Sequence, residues 1–301
     1  MRELIFKGHK QTTNYFEGWY FKFVDESHDL ILILIPGISK FKEDMAFVQY
    51  ILHYKGMVKS GCLRYALDVF EIGTPFYLKF EHGFISKDTV EIRIDDIYIK
   101  LQLKEFTPLK TSLFNPSIMG FFEYLPMPCF HDVISMSHEV VGEVKMQEET
   151  IAFKGKGYIE ADRGKSFPKY YLWAQCNHFK NSNASLFLSV ADISTKFFKF
   201  LGHIAVFYCE GKEYRFASYL GSKVEVEISK DKKKASVCFS NRKHTLRCYI
   251  ELKEGHTLIA PMHDKMDFKI KEQVKSYIQI EFDDYQDESA FCASELVNWK
   301  G

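Results

Sequence analysis

Apolar and polar residues alternate along most of this chain with a period of two, which is typical of β-strands that have one buried face. The stretch 90–94 reads Val-Glu-Ile-Arg-Ile, and the same alternation resumes over 97–103 after the acidic pair Asp95-Asp96. Because the acidic pair interrupts the alternation as a turn does, the sequence predicts a β-hairpin over residues 89–103.

The second half of the chain repeats this pattern. The runs His203–Tyr208 and Glu213–Ala217 flank the turn Glu210-Gly211 and predict another hairpin, and a further alternating run occupies 245–252. Helical periodicity is nearly absent, and its best candidate is the short segment Met266–Ser276. Many short strands joined by polar turns predict an all-β protein of sandwich or barrel architecture.

The length of the chain, 301 residues, exceeds the usual size of a single domain. A strand-like run, His131–Lys145, ends in the polar residues Gln147-Glu148-Glu149-Thr150. We expect a domain boundary at this point. It would divide the chain into an N-terminal β domain of residues 1–148 and a C-terminal β domain of residues 149–301.

One segment departs from the alternation. Residues 104–130 contain half of the chain's 8 prolines, together with Phe114, Phe121, Phe122 and Tyr124. A long irregular segment with so many apolar side chains is expected to be covered rather than left in water. It is predicted either to cover the mouth of a cavity or to join two barrels, and a plain surface loop is the alternative.

The composition excludes several classes of protein. Lys+Arg (40) balance Asp+Glu (40), which excludes a broadly basic nucleic-acid-binding protein. The longest apolar run, Leu30–Pro36, is far shorter than the roughly 20 residues of a membrane helix, and the N-terminus lacks the apolar stretch of a signal peptide. The 7 cysteines show no paired spacing, so we expect reduced thiols and a cytoplasmic location.

Neither a cofactor nor a metal is predicted. Gly164-Lys165-Ser166 resembles the end of a phosphate-binding loop, but position 159 is isoleucine where that loop needs a glycine. The glycine-rich motif of nicotinamide-binding proteins and the Gly-x-Ser-x-Gly motif of hydrolases are absent. The sequence also lacks the Cys-x-x-Cys pairs that predict a structural zinc site.

Carboxylates stand among aromatic residues in two segments, 14–22 and 157–178. Glu17 has aromatic neighbours on both sides, so partial burial is expected to raise its pKa unless a cation lies nearby. Glu160 and Asp162 are two residues apart and therefore share one face of a strand. Repulsion between two close carboxylates raises the pKa of one of them, which can keep an acid protonated near neutral pH.

The alternative for these acids is structural. Arg163, Lys165 and Lys22 are available as counter-ions, and a salt-bridged network of acids and bases can simply join two sheets. The residues alone leave both interpretations open.

Five groups of residues form a combination of motifs that extends over most of the chain. They are Tyr15-Phe16-Glu17-Gly18-Trp19-Tyr20-Phe21-Lys22; Gly157-Tyr158-Ile159-Glu160; Gly164-Lys165-Ser166-Phe167-Pro168 with Trp173, Gln175, Asn177 and His178; Met119-Gly120 and Tyr124-Leu125-Pro126 with His131, Ser135-Met136-Ser137-His138-Glu139 and Gly142; and Leu258-Ile259-Ala260-Pro261 with Lys265-Met266. Together they resemble the tocopherol cyclase family. The combination is specific, although each motif is short.

The resemblance implies two lipocalin-like β-barrels and chemistry at a prenyl double bond. In tocopherol cyclases a prenylated hydroquinone closes to a chromanol ring. Such a reaction needs a general acid that protonates the alkene, and a dry pocket in which a phenol oxygen captures the carbocation. The candidate acids are Glu160 and Asp162 first, then Glu17, and His138.

The other candidate residues follow from the same implied chemistry. Aromatic faces stabilise a carbocation, and Gln or Asn side chains can orient a quinol hydroxyl. The candidate aromatic walls are Trp19, Tyr20, Tyr158 and Trp173, and the candidate hydroxyl-orienting residues are Gln175 and Asn177.

The predicted partner is an apolar small molecule, with a prenyl-hydroquinone as the implied substrate. No nucleic acid is expected, membrane contact is at most peripheral, and the oligomeric state is not predicted. The rival function is a non-catalytic, lipocalin-like carrier of a hydrophobic ligand. Arg163 stands where the family usually has an aromatic residue, and it favours the carrier because a fixed cation keeps neighbouring carboxyls ionised.

Overall fold

The computed structural model describes residues 4–195 and 198–299. Within those ranges the chain forms twenty-one β-strands in two antiparallel sheets, four short 3-10 turns and no α-helix. No helix in this part of the chain has the length and apolar character needed to cross a bilayer. The predicted all-β class is therefore confirmed.

The first sheet is formed by the first half of the chain. Its strands are β1 (Tyr15–Asp25), β2 (Leu30–Lys40), β3 (Asp44–Tyr54), β4 (Met57–Tyr65), β5 (Glu71–Gly73), β6 (Tyr77–Phe80), β7 (Gly83–Ser86), β8 (Thr89–Ile94), β9 (Ile97–Lys104), β10 (Cys129–Met146) and β11 (Glu149–Gly164). Their order is β4-β3-β2-β1-β11-β10-β9-β8-β7-β6-β5. Neighbouring strands are consecutive in the chain except at the centre, where β1 pairs with β11.

The second sheet follows the same plan. Its strands are β12 (Tyr171–Cys176), β13 (Ser185–Ser194), β14 (Lys199–Cys209), β15 (Lys212–Ala217), β16 (Lys223–Ile228), β17 (Lys234–Ser240), β18 (Thr245–Glu251), β19 (His256–Met262), β20 (Lys265–Phe282) and β21 (Tyr285–Val297). Their order is β15-β14-β13-β12-β21-β20-β18-β17-β16, and β19 pairs with β20. The first and last strands, β12 and β21, again pair at the centre.

Each sheet buries one face in an apolar cluster of its own. In the first sheet this core face includes Trp19, Phe21 and Phe23 of β1 and Ile159 of β11, all of them fully buried. Side chains on a strand alternate between faces, so the intervening residues of β1 and β11 lie on the other face, called here the opposite face. In the second sheet the core face includes the β12 residue Leu172.

Both predicted hairpins are confirmed: residues 89–103 form β8 and β9, and the runs around Glu210-Gly211 form β14 and β15. The predicted helix at Met266–Ser276 is wrong, because this segment lies within β20, which pairs with β21 from Glu272 onward. Ile270 and Val274, both buried, are four residues apart. A spacing of four residues places two side chains on the same face of a helix and also on the same face of a strand, so it cannot distinguish the two.

The internal contacts divide the chain into two units. The first comprises Met1–Leu109, His131–Lys165 and Pro261–Met266, and the second comprises Lys110–Phe130, Ser166–Ala260 and Asp267–Gly301. The predicted boundary between residues 148 and 149 instead falls in the turn between β10 and β11. Because β11 pairs with β1, its contacts assign it to the first unit.

Candidate functional site

The central strand pair of the first sheet carries most of the predicted site residues. In its register, Tyr20 lies opposite Glu160 and Lys22 lies opposite Tyr158. Directly opposed residues on antiparallel strands project to the same side of the sheet, so these four side chains share the opposite face. All four are buried. Asp162, two residues after Glu160, lies on that face as well.

A histidine of β10 lies between the two predicted acids. The Nδ1 atom of His131 is 2.9 Å from Oδ1 of Asp162, and its Nε2 atom is 3.6 Å from Oε2 of Glu160. The histidine side chain is 19% exposed, against 6% for Glu160 and 22% for Asp162. Both carboxylates contact the same imidazole, so His131 offsets the repulsion between them, and it is not one of the counter-ions expected from the sequence.

The protonation state of His131 follows from these contacts. Burial by itself lowers the pKa of a histidine, but the charges of Asp162 and Glu160 outweigh it and raise the pKa of His131 from 6.5 to about 9. His131 therefore holds a proton at neutral pH, and Nδ1–H donates to Asp162. The cluster therefore holds one proton at a partly exposed position.

Tyr158 completes this cluster. Its hydroxyl donates a hydrogen bond of 2.6 Å to Oε2 of Glu160. Burial, together with the charge of Glu160, raises the pKa of Tyr158 well above its usual range, so the phenol stays neutral. The Tyr20 ring meets the Tyr158 ring edge-on, with centroids 6.3 Å apart. Two aromatic side chains thus lie on the face that carries the proton.

Glu17 lies on the core face, away from this cluster. It lies opposite Arg163, and both residues are in step with Trp19 rather than with Tyr20. Its carboxylate accepts hydrogen bonds from the Lys7 amide (3.0 Å to each oxygen) and the Tyr15 hydroxyl (2.6 Å). Burial raises the pKa of Glu17, as expected from the sequence, although these hydrogen bonds and Arg163 oppose the rise. Glu17 and the Glu160/Asp162 pair therefore cannot act on one reacting atom.

His138 also belongs to the core face. It is 2% exposed, its ring stacks on Phe106 with centroids 4.9 Å apart, and its Nδ1 atom is 3.2 Å from Oγ of Ser135. Burial lowers the pKa of His138 to about 3, so this histidine is neutral throughout the physiological range. It lacks the proton that the predicted role of general acid requires. Trp19 is fully buried on the same face, in edge contact with Phe6.

The remaining candidates, Trp173, Gln175 and Asn177, belong to the second unit. Trp173 and Gln175 lie on β12, in alternation with the core residues Leu172 and Ala174, and are therefore on the face away from that core. All three candidates are buried. Their role as substrate contacts stays a prediction.

His131 is the residue that the assignment of candidate acids omitted, although it stood in one of the quoted motifs. The signal was the predicted strand His131–Lys145 followed by a polar turn. Residues 131 and 160–162 lie at comparable distances on either side of that turn, so a β-hairpin brings them together. The expected domain boundary at 147–150 would have placed His131 and the two carboxylates in different domains.

The same three residues are also a donor set for a metal. One ligand atom from each of His131, Glu160 and Asp162 lies within 4.8 Å of the others. A histidine with two carboxylates suits a divalent transition ion. A metal would displace the proton that His131 shares with Asp162, so the proton and the metal are mutually exclusive occupants.

The fold places the protein among lipocalin-like all-β proteins. A crystal structure of a candidate AttH protein from Nitrosomonas europaea matches with a TM-score of 0.61 and 13% identity, over 97% of this chain and 96% of that one. Kievitone hydratase from Nectria haematococca matches with a TM-score of 0.55 and 6% identity, over 98% and 93% of the two chains. At such identities the likeness concerns the fold alone.

The sequence identifies the family. The model of the tocopherol cyclase-like family matches residues 99–296, about two thirds of the chain. This protein therefore belongs to the tocopherol cyclase-like family, and the resemblance predicted from its motifs is confirmed. A search of curated protein sequences found no match.

Proposed function

We propose that this protein is an enzyme that protonates a carbon–carbon double bond of an isoprenoid-type substrate and closes a ring, as a tocopherol cyclase does. Family membership supports chemistry of the cyclase or hydratase kind. The observation that carries the proposal is the position of His131 between Asp162 and Glu160, whose charges raise its pKa to about 9. A protonated histidine beside aromatic side chains meets the first demand of such a reaction, which is a general acid.

The proposed step balances without a cofactor. The His131–Asp162 pair gives its proton to one carbon of the alkene, whose π electrons form the new C–H bond. The other carbon becomes a tertiary cation, and a phenol oxygen of the same substrate donates an electron pair to it. The phenol proton returns to the cluster, so the product is an isomer of the substrate and the enzyme is regenerated.

Glu160 and Asp162 serve this step by keeping His131 protonated at working pH. As substrate replaces water, the ion pair of His131 and Asp162 loses solvation, which favours transfer of the proton from His131 to Asp162 and so forms a neutral carboxylic acid, a stronger proton donor than the imidazolium. Tyr158 fixes Glu160 through its 2.6 Å hydrogen bond. The rings of Tyr158 and Tyr20 would each stabilise a nearby cation by about 0.5–2 kcal/mol.

The substrate we propose is a prenylated hydroquinone, whose phenol oxygen supplies the internal nucleophile. The proposed proton transfer needs residues of the first unit alone, and the roles of Trp173, Gln175 and Asn177 in the second unit stay separate predictions. If water instead of the phenol captured the cation, the product would be a hydrated alkene. Kievitone hydratase, which has a similar fold, is named for addition of water.

Incubation of the full chain with a synthetic prenylated hydroquinone tests the proposal. In deuterated water, mass spectrometry is expected to show a product of substrate composition with one carbon-bound deuterium. His131→Gln is expected to lower the rate by about 100-fold or more, which is the usual contribution of a general acid. Glu17→Gln is the control, because Glu17 is a buried acid on the other face of the same strand pair, away from the cluster.

Two outcomes would contradict this assignment. If His131→Gln forms product as fast as the parent protein, the proton does not come from the cluster. If activity is lost on chelation and restored by a divalent ion, the three residues bind a metal instead.

The second candidate function is a non-catalytic carrier of a hydrophobic ligand. The observation in its favour is that both candidate acids are engaged with His131 and Tyr158, an arrangement that can be purely structural. Extraction of the purified protein followed by mass spectrometry distinguishes the two functions. A carrier releases the apolar compound that it bound and leaves a prenylated hydroquinone unchanged.

A further inference from the structure

The most exposed large apolar side chains among the described residues occur together in the segment Lys110–Phe130 of the second unit. Leu113 is 85% exposed, Phe114 is 83% exposed and Tyr124 is 65% exposed. The sequence predicted that this segment would be covered, but its tip is not. Side chains of this kind in water mark a surface that another phase or molecule covers.

The tip is a tight turn closed by hydrogen bonds at its base. The Ser112 amide donates to the Asn115 carbonyl oxygen (3.0 Å), and the Asn115 amide donates to the Ser112 carbonyl oxygen (3.1 Å). The Tyr124 hydroxyl donates to the carbonyl oxygen of Leu113, also at 3.0 Å. Pro116 has no amide proton to satisfy. These hydrogen bonds fix the shape of the turn and hold Leu113 and Phe114 at its tip.

Both ends of the turn are fixed to the rest of the second unit. Glu213 accepts a hydrogen bond from the Lys110 amide (2.8 Å), and Arg215 donates to the Lys110 carbonyl oxygen (3.0 Å). The Tyr219 hydroxyl donates to the Ile118 carbonyl oxygen at 2.9 Å. Leu113 and Phe114 are thus presented by an anchored loop, so little conformational entropy remains to be lost when they bind.

We propose that this turn docks the protein on a lipid bilayer, with Leu113 and Phe114 inserted among the acyl chains. Residues 111–118 read Thr-Ser-Leu-Phe-Asn-Pro-Ser-Ile and contain no charged side chain, so insertion dehydrates no charge. Tyr124 has the amphipathic ring that prefers the membrane–water interface. Lys110, exposed at the base of the turn, places a cation at the depth of the phosphates.

A bilayer fits these observations better than a protein partner does. A protein partner usually presents charged and polar groups at the rim of its interface, and residues 111–118 offer no charged side chain to pair with them. The projecting tip also suits a fluid phase that closes around it, without a pocket of matching shape.

Co-sedimentation of the full chain with vesicles tests the proposal. The vesicles are phosphatidylcholine alone, and phosphatidylcholine with about one quarter phosphatidylglycerol, to separate insertion from attraction to anionic headgroups. The double variant Leu113→Ser/Phe114→Ser is expected to weaken partitioning to both by about 10- to 100-fold. The matched control is Met57→Ser/Val69→Ser, because these apolar residues of the first unit are 58% and 56% exposed.

The proposal holds if the parent and the control variant bind vesicles alike and the turn variant does not. It is overturned if the parent fails to bind either vesicle, or if the turn variant binds as the parent does. It is also overturned if light scattering shows a dimer that the turn variant abolishes while no form binds vesicles, since the turn would then contact a second copy. None of these measurements depends on catalytic activity.

Discussion

The pKa of His131 offers the sharpest test of the candidate site. The change is Asp162→Asn, which keeps the shape of the side chain and removes its charge. An opposite charge at this distance typically shifts a pKa by about one to three units. The variant is therefore expected to lower the pKa of His131 from about 9 towards its ordinary value of 6.5.

The same change has a consequence for stability. The pKa of His131 is higher in the folded protein than in the unfolded chain, so the folded state binds the proton more tightly. The difference, roughly 2.5 pH units at 1.36 kcal/mol each, corresponds to about 3 kcal/mol for the whole cluster. This stabilisation is complete below a pH of about 6.5 and is lost as the pH rises through about 9.

Nuclear magnetic resonance titration of the imidazole carbons between about pH 5.5 and 10.5 measures the pKa directly, and His131→Gln assigns the signal. His138 is an internal control, because with a pKa of about 3 its signal should not move in this range. Denaturant unfolding of the parent and of Asp162→Asn at each pH measures the stability. The difference between them is expected to be largest near pH 6 and to shrink towards pH 10.

Two results would refute this reasoning. One is a His131 signal in the parent protein that titrates at or below pH 6.5. The other is a difference in unfolding free energy between the parent and Asp162→Asn that stays constant from pH 6 to pH 10. Either result would show that the contacts of the cluster do not keep His131 protonated at neutral pH, and His131 could then not be the proposed proton donor.

Two substitutions test the packing around this site and in the second unit. Gly157→Ala would place a Cβ atom 2.2 Å from Nε2 of His138, so we expect denaturant unfolding to show a loss of about 1–3 kcal/mol in the free energy of unfolding. The control is Gly18→Ala, whose Cβ atom would lie 3.6 Å from its nearest neighbour and should be tolerated. Equal losses in the two variants would contradict the steric argument. Asp287→Asn replaces a 3% exposed carboxylate, which accepts a hydrogen bond from the Asn181 amide, by a side-chain amide. The expected loss in the free energy of unfolding is about 2–3 kcal/mol. An unchanged midpoint of denaturant unfolding would show that this hydrogen bond does not stabilise the protein.

Alternation along the chain was sufficient to predict the fold class and several hairpins. Strand period and turn residues are local signals, and the stretch over 89–103 contains both. The spacing of Glu160 and Asp162 likewise predicted correctly that they share a face. The helix expected near Ile270 and Val274 failed because a four-residue spacing serves both periods, and pairing with β21 decides between them.

The composition of the site could not be predicted in the same way. Whether Glu17 shares a face with Glu160 depends on the register between β1 and β11, which are separated by most of the first half of the chain. A register shifted by one residue would have joined these acids on one face. No local pattern specifies that long-range register, whereas His131 lay within reach of a hairpin argument.

Alternate residues of β11 have different roles, because one face of the strand carries the cluster and the other packs in the apolar core. Replacing residue 158, 160 or 162 alters the proton-bearing cluster and leaves the apolar packing in place, while replacing Ile159 disturbs packing and leaves the cluster's donors and acceptors as they are. A diverging lineage can therefore exchange its chemistry at every second position of one strand without rebuilding its scaffold. Drift in the scaffold can likewise accumulate without changing the reaction.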